Sequence, residues 1–144
     1  MVEHDTIRLL RECDAGVKMG ISSIDDVLPR VEHNVLENRL AKCKQEHEKL
    51  QNEISGLLDS YQDKGKNPNF FAKTMSHMKT TMKLGIHESD STVASLMTDG
   101  CNMGVKSLNR YLNQYEAASE YSKDIAKRLI HLEEDLTQDI RQFL

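Results

Sequence analysis

Cys43 and His47 stand four residues apart in a run that reads as a long helix, so their side chains share one face. Two further thiols, Cys13 and Cys101, recur in matching six-residue frames, "CDAGVK" and "CNMGVK". Sulfur and imidazole nitrogen are donors suited to zinc or ferrous iron. If antiparallel helices bring Cys13 level with His47, a metal site from Cys13, Cys43, His47 and Cys101 is conceivable, with His131 near the level of Cys101 as a fifth candidate. The plainer reading is core packing. Free cysteine is among the most buried residue types, a histidine on an apolar seam is more often a hydrogen-bonded core residue than a ligand, and the spacing matches no paired C-x-x-C motif. No metal or other cofactor is therefore expected, with zinc or iron at these residues as the alternative.

Other chemistries find little footing. No nucleophile–base arrangement, phosphate-cradling glycine loop or dinucleotide fingerprint appears, because the glycines fall inside helical patterns instead of strand-to-helix loops. No catalytic residue is assigned. A net charge of −4, with both signs mixed along each helix, argues against a nucleic-acid partner. The opening "MVEHDTIRLL" has neither a basic region nor a long apolar run, so no signal peptide is expected. No window approaches a membrane span. Three cysteines without a secretion signal are expected to be reduced thiols in a cytoplasmic protein.

The elements that must position these residues are long helices. Proline occurs only at 29 and 68, and long stretches contain neither proline nor glycine. Asp5 or Thr6 can cap a helix starting at Ile7, with a seam through Leu10, Cys13, Val17, Ile21, Ile24 and Leu28 that stops at Pro29. A second seam runs Leu36, Leu40, Cys43, His47, Leu50, Ile54, Leu57 and Tyr61 in near-strict three–four alternation, the strongest periodicity in the chain. It ends in "QDKGKNPN". A shorter amphipathic piece follows from Asn69 to Leu84, and Ser89 or Ser91 can cap a third helix through Val93, Met97, Cys101, Gly104 and Leu108. After a turn near "EAAS", a fourth carries Tyr121, Ile125, Leu129, Leu132, Leu136, Ile140 and Phe143. The acidic run "HLEEDLTQDI" within it reads as a solvated face.

The doubled frame makes sense as two copies of one helical hairpin packed as a four-helix bundle. The expected organisation is a single all-α domain over residues 1–144, with hairpin one at 6–61, a crossover containing a short helix at 62–90, and hairpin two at 91–144. The crossover is long enough to run the length of the bundle, which gives an up-down-down-up order.

Two similar hairpins joined by a crossover resemble the ferritin-like superfamily, rubrerythrin-type proteins in particular. That resemblance implies a glutamate from the first helix of each hairpin and a Glu-x-x-His from the second, together holding two irons. The frame "LLRECDAG" resembles the first-helix segment, with the glutamate falling near Gly16 and, by the repeat, near Gly104. "KQEH" keeps the histidine as His47 with Lys44 in place of glutamate; "RLIH" keeps His131 with Arg128 in its place. Glycine and cationic side chains where carboxylates are needed invert the local charge, so a standard di-iron centre is not expected.

Gly16 with Gly20, and Gly100 with Gly104, form two small-x-x-x-small pairs. Since helical glycine costs roughly 1 kcal/mol against alanine, a reason must exist: close approach of helices one and three, or room for a ligand. Met75, Met78 and Met82 in the connector could cover the bundle or receive a protein partner. The expected role is non-enzymatic, in binding or assembly, as a homo-oligomer, with no membrane partner. The alternative is a metal-binding or redox protein with a rebuilt Cys/His core.

Overall fold

The computed structural model describes residues 2–66 and 89–144. The short helix expected between Asn69 and Leu84, with Met75, Met78 and Met82, lies outside the described residues. Within them the chain forms four long helices: α1 (Val2–Val27), α2 (Asn34–Ser60), α3 (Asp90–Gln114) and α4 (Glu120–Ile140). Short 3-10 turns follow α1 at Leu28–Arg30, where Pro29 falls, and α4 at Arg141–Phe143. No strand occurs among the described residues. The architecture is an all-α four-helix arrangement.

Local chemistry sets the helix ends. His33, Ser89 and Ser119 precede α2, α3 and α4, and each side chain accepts a backbone N–H from the first turn, at 3.1 Å from Val35, 3.2 Å from Thr92 and 3.2 Å from Ser122. At the far end of α2 the N–H of Gln62 bonds the Asp59 carbonyl and that of Asp63 bonds the Leu58 carbonyl. This is a Schellman motif, with Gln62 in the left-handed region at φ 58°.

Two sets of hydrogen bonds orient the helices. Asp90, opening α3, accepts the N–H groups of Glu32 (2.9 Å) and His33 (3.0 Å) in the α1–α2 turn. At the opposite end Asp5 and Thr6 accept the N–H groups of Ala117 (3.1 Å) and Ser119 (2.8 Å) in the α3–α4 turn. Thus α1 and α4 run one way while α2 and α3 run the other. Helix α1 packs on α2, α3 and α4, and α4 on α1, α2 and α3. These bonds also correct the expected start of α1. Asp5 and Thr6 do not cap a helix at Ile7, because the helix already begins at Val2 and both side chains serve the neighbouring turn instead.

The apolar interior falls into two blocks. One holds Leu9, Leu10, Cys13 and Val17 with Leu50, Ile54, Leu108, Ile125 and Leu129. The other holds Ile24 and Val27 with Leu36, Leu40, Cys43, Met97, Cys101, Leu136 and Ile140. Leu58, more than Leu57, closes the lower block at the end of α2. Tyr121 leaves the seam expected for it. It is 52% exposed, and its hydroxyl donates to Glu53 on α2.

Candidate functional site

Each helix crosses the gap between the two apolar blocks once, and the residues at that height are Gly20, His47, Gly104 and Glu133. The periodicity that places them there is shared. Leu40, Cys43, His47, Leu50 and Ile54 on α2 have the same three–four spacing as Ala126, Leu129, Glu133, Leu136 and Ile140 on α4. His47 is 2% exposed and Glu133 7% exposed. The acidic run on α4 is therefore not wholly solvated, and Glu133 departs from it: the seam's period turns this one carboxyl inward while its neighbours Glu134 and Asp135 face out.

The two glycines account for how such side chains fit. A Cβ on Gly20 would stand 2.7 Å from both Cδ2 and Nε2 of the His47 ring, and one on Gly104 would collide with the Glu133 carboxyl. A polar side chain of each hairpin's second helix thus packs directly against the bare backbone of its first. The two remaining glycines behave differently. A Cβ on Gly16 would make an ordinary contact with Leu129 at 3.5 Å, and one on Gly100 would meet nothing within 4 Å.

His47 has a defined tautomer. Its Nδ1 lies 2.8 Å from the Cys43 carbonyl oxygen, which can only accept, so Nδ1 carries the proton and Nε2 presents a lone pair. That Nε2 and the Glu133 Oε2 are both buried without a hydrogen-bond partner. Burial depresses the His47 pKa, partly offset by the Cys43 carbonyl, and raises that of Glu133 to about 8. At neutral pH the imidazole is uncharged and the carboxyl is protonated. Both border a cavity of about 50 Å³ between α1 and α3, walled by Gly16, Gly20, Gly100 and Gly104 with Met19 and Met97. Among the described residues neither lysine nor arginine lines it.

The cysteines do not converge. Cys13 sits in the lower apolar block, and burial, then Glu12 and Asp14, push its thiol up to about 12. Cys43 and Cys101 share the upper block near Glu133. Burial first, with that carboxylate's charge adding to it, raises Cys43 to about 12 and Cys101 further still. All three are free thiols, protonated near neutrality, and a protonated thiol is a poor metal ligand. The Sγ of Cys43 lies 3.5 Å from His47 Nδ1, the nitrogen already engaged. His131 is turned away from the core, its side chain 75% exposed and 3.7 Å from Glu134. Among the described residues no three His, Cys, Asp or Glu side chains are grouped to hold a metal ion.

The cations at the expected carboxylate positions also face outward. Lys44 pairs with Asp25 at 2.6 Å, and Arg128 makes a two-pronged contact with Glu53 at 2.7 and 2.9 Å. A further buried carboxylate, Asp14, is paired: it takes the Lys66 N–H at 3.0 Å and the Lys18 ammonium at 2.7 Å. Glu133 was the residue that reading the α4 seam as Leu129, Leu132 and Leu136 passed over. Matching α4 to α2 residue by residue along the three–four alternation would have found it. Comparison of the chain with family models, with curated proteins and with solved structures returns no match. No helix among the described residues is long and apolar enough to cross a membrane.

Proposed function

We propose that this chain is a non-enzymatic, ferritin-like four-helix bundle, a doubled hairpin that serves in binding or assembly and has no di-iron centre. The supporting observation is the composition of the layer at mid-height. Where a di-iron bundle needs several convergent carboxylates, this one has two glycines, a neutral imidazole and a single protonated carboxyl. That donor set does not fit a pair of irons. Lys44 and Arg128, at positions where the resemblance calls for glutamate, are committed to Asp25 and Glu53 on the surface. The helix directions, with α1 and α4 running one way and α2 and α3 the other, agree with the resemblance. Three buried reduced thiols suit a cytoplasmic setting. Association into a homo-oligomer through helix faces belongs to this proposal by analogy of fold alone.

Aerobic addition of ferrous iron tests the reading. The absorbance of ferric product should rise no faster with the protein than in buffer, and the elution volume in size-exclusion chromatography should be that of an oligomer. Protein-dependent iron oxidation abolished by Glu133→Ala would contradict the first part, and a monomer at all concentrations the second.

A further inference from the structure

The layer at mid-height contains two buried polar atoms with nothing to bond, and they border one cavity. Such groups are rare in folded proteins, because each forfeits its hydrogen bond to water without a replacement. Nε2 of His47 is an acceptor, since its partner nitrogen holds the ring proton on the Cys43 carbonyl. The protonated Glu133 carboxyl offers an O–H donor. The walls are mostly glycine backbone, methionine and leucine, an apolar and adaptable lining, with the hydroxyl-bearing Ser23, Ser107 and Tyr111 also at the border. Among the described residues no lysine or arginine lines the space, and the Glu12 carboxylate at its border is already paired with Lys66, so an anion finds no free cation there. A full positive charge would have to be desolvated against apolar walls. A hydroxyl suits both orphaned atoms without a charge, since it can donate to the imidazole and accept from the carboxyl.

We propose that the cavity between α1 and α3 receives the hydroxyl end of a small neutral molecule at His47 Nε2 and Glu133, while its apolar body lies along the open side of the same groove. The four glycines keep the α1–α3 face free of side chains that would fill this space, and Gly100 leaves the most room. The inference rests on the reading of the bundle as a binding protein and supplies the chemistry of what is bound.

The test is a titration of the full chain, labelled with nitrogen-15, with 1-hexanol, hexylammonium and hexanoate in parallel, followed by amide chemical shifts. Hexanol should give saturable shifts centred on Gly16, Gly20, Gly100 and Gly104, and bind more tightly than either charged analogue. Gly100→Leu, which fills the cavity from a position with open space, should weaken hexanol at least about tenfold, as should Glu133→Leu, whereas Glu133→Gln keeps a donor and stays within about threefold. Far-UV circular dichroism establishes that each variant remains helical, and Gly100→Leu carries the test if Glu133→Leu does not fold. Equal or tighter binding of hexylammonium, undiminished binding to Gly100→Leu, or no saturable shift with hexanol would each overturn the proposal. None of these results bears on iron; protein-dependent iron oxidation would instead overturn the wider reading and leave the alcohol titration as measured.

Discussion

Glu133 and His47 occupy matching positions on α4 and α2, yet they respond to pH in opposite senses. The Glu133 pKa is raised by burial to about 8, against 4.5 for a free side chain. Between those values the folded chain holds a proton that the unfolded chain releases, so this group makes stability fall as pH rises, by up to about 1.4 kcal/mol per pH unit. His47 is depressed, so the unfolded chain gains its proton first, and stability falls as pH drops below about 6.5. Urea unfolding of wild type should therefore show stability decreasing from pH 6.5 to 8, and Glu133→Gln should flatten that decline. An unchanged slope in the variant would mean that Glu133 is ionised in the fold. The glycines give a paired prediction. Gly20→Ala drives a Cβ into the His47 ring and should cost about 1–3 kcal/mol. Gly100→Ala meets open space, so helix propensity should make it stabilising by roughly 0.5–1 kcal/mol. Thermal melts of the two variants should move in opposite directions.

At the scale of the helices, periodicity was legible and partnership was not. The seams of α2 and α3 could be read from the spacing of Leu40, Cys43, Leu50 and Val93, Met97, Cys101, since burial of a helix face leaves that imprint directly. Asp5 and Thr6 could not be read correctly. Both are good capping residues, but whether they cap their own helix or the N–H groups of a distant turn depends on which element arrives beside them. Glu133 failed for a related reason: a carboxyl in an acidic run looks solvated until its period is compared with that of another helix. The end of α2 contains a correctable flaw. Gln62 adopts a left-handed conformation that favours glycine, and Gln62→Gly should raise stability by about 1 kcal/mol in denaturant titration. Asp90 does the reverse duty at the other end, where it holds two N–H groups of the α1–α2 turn. Asp90→Ala should cost about 1–2 kcal/mol, and a loss no larger than for an exposed ion pair would show that water replaces it without penalty.

Across the described residues as a whole, two apolar blocks are joined by one polar layer, and the three thiols lie inside those blocks and away from any shared ligand set. Their raised pKa values and burial predict that folded protein reacts with iodoacetamide far more slowly than unfolded protein, with all three sites modified together once the bundle opens. Rapid labelling of one cysteine in the native state would place it outside the packed interior. The central claim is that the middle of this bundle offers a neutral imidazole and a protonated carboxyl to a small cavity, in place of a carboxylate cage for metal. Elemental analysis of protein grown with added iron and zinc, and purified without chelators, addresses it most directly. The account predicts a metal content far below one atom per chain, unchanged by Cys43→Ser or His47→Ala. Two irons per chain, or one zinc that disappears in those variants, would contradict it.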